Sequence, residues 1–157
     1  MADRQSYDLL VEQALGEISE MAPWDLEEAL VEDGPLLLID VREPSEFARG
    51  AITGSLSVPR GILEAACDYG FAETQAELVE ARSRPVVVIC RSGRRSALAA
   101  QTLAQLGYRD VKSLKLGVKG WNDSDFPLVD GLGNVVDGEV AEKILTPEIS
   151  PEQLGPG

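Results

Sequence analysis

Cys90 lies in the segment of this sequence whose residue types are best suited to chemistry. The segment, residues 84–96, reads Arg-Pro-Val-Val-Val-Ile-Cys-Arg-Ser-Gly-Arg-Arg-Ser. A glycine lets the backbone turn so that successive N–H groups converge on one point, and guanidinium groups bind anions. The residues after the cysteine combine both features, in Gly93 and in the arginines Arg91, Arg94 and Arg95. We therefore predict a thiolate inside an anion-binding loop.

The residues on either side of this loop predict where it lies in the fold. Residues 86–89 form a short β-branched apolar run, which is typical of a strand buried on both faces. Residues 94–106 are rich in good helix formers, and Gly107 is well placed to end that helix. Cys90 is thus expected at the carboxyl end of a strand, the edge at which open α/β sheets bind ligands.

The rest of the chain alternates between strand patterns and helix patterns. Apolar runs predict three further strands, at residues 36–41, 56–58 and 111–114. Helical patterns occur at residues 24–31, 61–66 and 72–82, with a short turn after Pro44. This alternation predicts βαβ units and hence an α/β fold with a largely parallel sheet.

The composition excludes several classes of function. The chain has 157 residues, the length of one domain, and contains no histidine. The lack of histidine excludes Ser-His-Asp and Cys-His mechanisms and histidine zinc sites. Two cysteines, Cys67 and Cys90, are too few for a disulfide framework or a four-thiolate zinc site. We expect neither a metal nor another cofactor, so the Cys90 thiolate must be stabilised by loop amides, a helix N-terminus or guanidinium groups.

The net charge restricts the choice of partners. A charge of −13 repels nucleic acid and anionic membrane surfaces, so we expect neither as a partner. The apolar runs are too short to span a membrane and the first residues lack the regions of a signal peptide, so a cytoplasmic location is expected. An anionic substrate needs a local reversal of charge, and the arginines after Cys90 supply one.

The loop and three flanking motifs resemble the rhodanese family of sulfurtransferases. Residues 90–96, Cys-Arg-Ser-Gly-Arg-Arg-Ser, resemble the family's active-site loop. Residues 38–47 and 50–59 resemble its first signature, and residues 116–121 with Phe126-Pro127 resemble its carboxyl-terminal signature. The resemblance covers about residues 18–129. One position departs from it, because relatives commonly read Gly-His-Ile where this chain has Gly50-Ala51-Ile52.

The resemblance implies a fold and a reaction. The fold would be a doubly wound sheet, mainly parallel, with helices on both faces. In the reaction Cys90 would attack the outer sulfur of thiosulfate or another sulfane-sulfur donor, release sulfite, and carry a persulfide to a thiol, to cyanide or to a sulfur-carrier protein. The substrate-binding residues would be Arg91, Ser92, Gly93, Arg94, Arg95 and Ser96.

Two charged residues near the end of the first strong strand are expected to support the loop. Asp40 is predicted to accept hydrogen bonds from loop amides, and Arg42 is predicted to pair with Glu46. Trp121 is predicted to form part of the core or a pocket wall. Cys67 lies in a predicted helix beside two alanines, so core packing is favoured over a role as a resolving thiol.

The chain divides into three parts by its patterns. Residues 1–17 are predicted to form a leader helix that docks through Leu9, Leu10, Ala14 and Leu15. Residues 18–130 form the predicted rhodanese domain. Residues 131–157 are acidic and rich in glycine and proline, which predicts an extended or partly disordered tail.

Two other functions remain open from the sequence. A cysteine-dependent phosphatase of the same fold would need the longer loop Cys-x5-Arg, whereas here the sixth residue after Cys90 is Ser96 and Arg95 is the fifth. The shorter loop fits a sulfur atom better than a phosphate. A non-catalytic module that uses the fold to bind proteins is the second alternative, and the complete loop argues against it.

Overall fold

The computed structural model describes residues 4–32 and 34–156, and its centre is a five-stranded parallel sheet. The strands are β1 (Ser19–Met21), β2 (Leu37–Asp40), β3 (Leu56–Ser57), β4 (Pro85–Ile89) and β5 (Asp110–Leu114). Their order in the sheet is β1-β5-β4-β2-β3, and all four neighbouring pairs are parallel. The predicted parallel α/β sheet is confirmed.

Nine α-helices occur in the described residues. They are α1 (Tyr7–Leu15), α2 (Pro23–Val31), α3 (Pro44–Arg49), α4 (Leu63–Ala66), α5 (Ala76–Val79), α6 (Arg94–Gln105), α7 (Gly117–Asp123), α8 (Gly138–Ile144) and α9 (Pro151–Leu154). A 3-10 turn, Arg60–Ile62, precedes α4. None of the helices in the described part of the chain has the length and apolar character needed to cross a lipid bilayer.

Helices cover both faces of the sheet, as the resemblance implies. Side chains alternate along a strand, so Val86 and Val88 of β4 point to one face and Val87 and Ile89 to the other. The first pair packs with buried residues of α4, α5 and α6. The second pair packs with buried residues of α2, α7 and α8. Strand β4 is therefore central and buried on both sides, which explains its continuous apolar run.

The structure differs from the sequence prediction in two helical regions. The helix predicted over residues 72–82 is limited to α5, because Thr74 Oγ1 accepts from the Phe71 amide and donates to the Asp68 carbonyl oxygen, which forms a turn before it. In α1 the buried residues are Val11 and Ala14, which pack against Ala97 of α6. Of the four residues predicted to dock this helix, only Ala14 is buried.

The segment 131–157, predicted to be extended or partly disordered, contains α8 and α9. The side chain of Asp137 caps α8 by accepting from the amides of Glu139 and Val140. Ala141 and Leu145, one helical turn apart, are both buried in the core cluster beneath α7. These two apolar residues anchor α8, and the surrounding acidic and glycine residues conceal that signal in the sequence.

Candidate functional site

The sulfur of Cys90 lies at the carboxyl end of β4 within a cluster of hydrogen-bond donors. The residue is 1% exposed. Its Sγ accepts from the amide of Gly93 at 3.1 Å and from the amide of Ser96 at 3.2 Å. The hydroxyl of Ser96 lies 3.3 Å from the same sulfur. Two amides donate to this sulfur, and the Ser96 hydroxyl accepts from it as a thiol and can donate to it as a thiolate, an arrangement that suits a negatively charged sulfur.

The turn that brings these donors together depends on Gly93. Its φ of 93° lies in the left-handed region, where residues with a Cβ are disfavoured. Helix α6 begins at the next residue, so the Ser96 amide belongs to the first turn, whose N–H groups have no partner within the helix. The positive end of the helix dipole points to the same place. The structure thus contains the glycine turn and the converging amides that were predicted for this loop.

The loop is held from the other side by the N-terminus of α7. The amide of Val118 donates to the Cys90 carbonyl oxygen at 2.9 Å, and the amide of Lys119 donates to that of Arg91 at 2.9 Å. Gly117 permits this approach, with a φ of 60°. A Cβ at this position would lie 2.5 Å from the Arg91 carbonyl oxygen, far inside ordinary contact. The motif at residues 116–121 therefore positions the backbone of the cysteine itself.

A second serine reaches the site from β5, and the sequence reasoning did not include it. Ser113 is fully buried, and its Oγ lies 2.7 Å from the Oγ of Ser96. Strand pairing explains the contact, because Ser113 is the partner of Val88 in the β4–β5 register. A hydroxyl in the buried half of β5, beside Leu114, is the signal by which it could have been found.

Arg95 is engaged by a carboxylate. Its Nη1 and Nη2 donate to Glu46 Oε1 and Oε2 at 2.8 and 2.9 Å, a bidentate pair that joins α6 to α3. The hydrogen bond from Arg95 holds the pKa of Glu46 below its usual value, and the same bond raises the pKa of Arg95. The pair ties the first turn of α6 to the helix that follows β2.

Arg94 and Arg91 have different surroundings. Arg94 forms an ion pair with Asp8 and lies over the ring of Tyr7, 4.7 Å from its centroid, so it connects α6 to α1. The hydrogen bond to Asp8 raises the pKa of Arg94. For Arg91 the structure contains no ion-pair partner among residues 4–32 and 34–156. Of the three arginines, Arg91 is the one whose charge the described carboxylates do not offset.

The predicted supporting residues form a buried ion pair with each other. Arg42 Nη2 donates to Asp40 Oδ2 at 2.8 Å and to the Gly50 carbonyl oxygen at 2.8 Å. Asp40 also accepts from the Arg42 amide at 3.0 Å, which agrees with its predicted bond to a loop amide. The predicted pairing of Arg42 with Glu46 is wrong. Asp40 satisfies Arg42 within the same loop, which leaves Glu46 for Arg95.

Two further predictions concern buried residues. Trp121 is 3% exposed and donates from Nε1 to the Pro127 carbonyl oxygen at 2.9 Å, so it belongs to the core, as predicted. Cys67 is fully buried in the core cluster, and burial raises the pKa of its thiol. A buried thiol with a raised pKa is a poor nucleophile, in agreement with its predicted packing role.

Comparison with known protein sequences identifies a family. A family model described as Rhodanese-like domain matches residues 23–124. A sulfurtransferase of Allochromatium vinosum is 31% identical over 112 residues, which is 71% of this chain and 95% of that protein. A mitochondrial protein of Schizosaccharomyces pombe, provisionally named a thiosulfate sulfurtransferase, is 40% identical over 94 residues, which is 58% of this chain and 66% of its own length. The match thus spans just under two thirds of the yeast protein.

Two solved structures share the fold of this chain. A Rhodopseudomonas palustris protein of unknown function, described as a candidate tyrosine phosphatase, has a TM-score of 0.71 at 27% identity, covering 82% of this chain and 97% of that one. A thiosulfate sulfurtransferase from Pseudomonas aeruginosa has a TM-score of 0.64 at 26% identity, covering 78% of this chain and 22% of that one.

Proposed function

This chain belongs to the rhodanese family, and on that premise we propose that it is a sulfurtransferase that carries a sulfane sulfur as a persulfide on Cys90. The observation that supports the proposal best is the surroundings of the Cys90 sulfur. Two amides and one hydroxyl lie 3.1 to 3.3 Å from it. Such donors stabilise an anion at this position without accepting or supplying a proton.

The first half of the reaction follows from this geometry. With thiosulfate as the donor, the Cys90 thiolate attacks the outer sulfur, a new S–S bond forms, and the bond between that sulfur and the sulfonate sulfur breaks. The electron pair of the broken bond leaves with sulfite. The product is a Cys90 persulfide anion, whose negative charge lies on the outer sulfur. No proton moves in this step, which suits a chain without histidine.

The second half returns the cysteine to its starting state. An acceptor nucleophile, such as a thiolate, cyanide or the sulfur-accepting group of a carrier protein, attacks the outer sulfur of the persulfide. The bond to Cys90 Sγ breaks, and its electron pair remains on Sγ as the thiolate. The loop donors stabilise this leaving group as they stabilised the nucleophile before. We propose the cytoplasm as the compartment, since both cysteines are free thiols in the structure.

Arg91 is the residue we propose for attracting an anionic donor. Arg94 and Arg95 face Asp8 and Glu46, so their charges are offset within the protein. The Arg94 pair is exposed and easily exchanged, whereas the bidentate Arg95 pair is more buried. We therefore propose that Arg91 and the loop amides contact the sulfonate first and that Arg95 mainly holds the loop in place.

Intact-protein mass spectrometry after incubation with thiosulfate tests this function. The protein is expected to gain one sulfur atom and to lose it again on addition of cyanide. Cys90→Ser removes the gain, and Cys67→Ser is the matched control that retains it. Absence of the added sulfur, or its persistence in Cys90→Ser, refutes the proposal.

A phosphatase is the second candidate, because the Rhodopseudomonas palustris structure that resembles this chain is described as a candidate tyrosine phosphatase. The position that would hold the phosphate-binding arginine of a Cys-x5-Arg loop is Ser96, whose amide and hydroxyl face the cysteine sulfur. This position therefore contacts the cysteine sulfur and offers no guanidinium group to a phosphate. We expect no turnover of p-nitrophenyl phosphate beyond that of Cys90→Ser, and clear Cys90-dependent turnover would favour the phosphatase.

A further inference from the structure

Ser113 is a buried polar residue of the site that the reaction above does not use. Its Oγ lies 2.7 Å from Ser96 Oγ, which in turn lies 3.3 Å from Cys90 Sγ. We propose that Ser113 is a positioning residue, which orients the Ser96 hydroxyl so that its hydrogen points at the sulfur and thereby favours the thiolate. This role rests on the proposed function of Cys90 as the nucleophile.

The oxygens of Ser113 and Ser96 and the sulfur of Cys90 form a row of three atoms. The number of hydrogens that this row can hold favours the ionised cysteine. The row has two gaps, one between the two hydroxyl oxygens and one between Ser96 and the sulfur, and each gap takes one hydrogen. With a thiolate, the Ser113 hydroxyl donates to Ser96 and the Ser96 hydroxyl donates to the sulfur, so both gaps are filled. A thiol adds a third hydrogen, and one of the three then has no place in the row.

The third hydrogen has no convenient acceptor elsewhere. Ser113 and Ser96 are fully buried, so bulk water does not reach their hydroxyls. Within residues 4–32 and 34–156, the Ser113 hydroxyl has Ser96 Oγ as its only side-chain or backbone hydrogen-bond partner. A buried donor without an acceptor is costly, and that cost falls on the thiol form alone.

Charged groups around the sulfur do not replace this effect. The elements packed against it supply four cations paired with five carboxylates, and one further cation. These are Arg95 with Glu46, Arg42 with Asp40, Arg94 with Asp8, Lys119 with Asp123 and Glu142, and Arg91 beside the cysteine. Because all of these cations except Arg91 are paired with carboxylates, a change at Ser113 leaves their charges as they are.

The pH profile of Cys90 alkylation by iodoacetamide, measured in a Cys67→Ala background, tests the role of Ser113. In Ser113→Ala the Ser96 hydroxyl loses the donor that orients it and can turn away from the sulfur. We expect the midpoint of the profile to rise by about one pH unit, which lowers the rate below the midpoint about tenfold, while the plateau at high pH is unchanged. A purely structural role would leave the midpoint where it is.

Two isosteric variants keep the test decisive if Ser113→Ala folds poorly. Ser113→Thr and Ser113→Val add the same volume and differ in the hydroxyl, so only the valine variant should show the raised midpoint. Equal midpoints in these two variants, or an unchanged midpoint in Ser113→Ala, overturn the proposal. Alkylation needs no sulfur donor, so a shifted profile in a protein that forms no persulfide would count against the proposed function and not against Ser113.

Discussion

Replacement of Gly117 by alanine tests whether the α7 end of the site positions the reactive cysteine. The residue has a left-handed φ of 60°, and a Cβ would lie 2.5 Å from the Arg91 carbonyl oxygen. It would lie closer still to the Cys90 carbonyl oxygen. Both obstacles are backbone atoms, so no side chain can rotate to make room. The loop or the start of α7 has to move.

The size of the movement follows from ordinary contact distances. A carbon and an oxygen approach to about 3.3 Å, so the Cβ in Gly117→Ala displaces the Cys90 loop relative to α7 by roughly 0.8 Å. That displacement lengthens the hydrogen bonds that the amides of Val118 and Lys119 donate to the loop, both 2.9 Å in the structure. A misplacement of about 1 Å can reduce a rate about 100-fold. The left-handed backbone adds about 1–2 kcal/mol to the cost in stability.

A second glycine separates the loss of stability caused by a left-handed backbone from the loss of rate caused by moving the loop. Gly54 has a φ of 86°, and a Cβ there would meet no atom within 4 Å. Gly54→Ala should therefore lose stability for the same reason, the left-handed backbone, and should keep its rate of sulfur transfer. Thermal unfolding and the rate of persulfide formation from thiosulfate are measured for both variants. If folded Gly117→Ala reacts within about twofold of the parent rate, the reasoning about loop position is refuted.

Three other predictions follow from contacts around the site. Because Arg95 holds the pKa of Glu46 below its usual 4.5, the stabilisation from this pair is present above that pH and is lost as pH falls through the lowered value. Glu46→Gln should thus melt lower than the parent at pH 7, and the gap in Tm should shrink below pH 4.5; a gap independent of pH contradicts this assignment. Asp8→Asn breaks an exposed pair with Arg94 and should lower the free energy of unfolding, measured with urea, by no more than about 1 kcal/mol. Salt at about 1 M should remove most of this difference, and a larger, salt-resistant loss would mean that the pair is structural. In Cys90→Ser the remaining thiol, Cys67, should react with iodoacetamide at least tenfold more slowly in the native protein than after denaturation, and equal rates would show that it is accessible.

The strand and helix around the reactive cysteine could be predicted because their signals are local. The apolar run before Cys90 has the composition of a buried strand, and the residues after Gly93 have that of a helix. The structure places both elements within a residue or two of those bounds. Strand β1 (Ser19–Met21) could not be found in this way. It has three residues, two of them exposed, and it is held by pairing with β5 at the edge of the sheet.

The partners of the arginines could not be predicted because they come from distant segments. Glu46 is 49 residues from Arg95, and Asp8 is 86 residues from Arg94. Composition indicated a cluster of positive charge after Cys90, since nothing local in the sequence offsets it. Folding brings one carboxylate from α3 and one from α1 against the first turn of α6. A cluster of like charges in a sequence therefore predicts an anion site only after the fold has been searched for the opposite charges.

The site depends more on backbone amides that point at the sulfur than on net charge, and this is consistent with the composition of the chain. The overall charge is −13, and two of the three loop arginines are paired with carboxylates. A sulfur held mainly by guanidinium groups would lose its stabilisation whenever those carboxylates approached. Amides fixed by a helix start and by a left-handed glycine keep their direction regardless of nearby ion pairs.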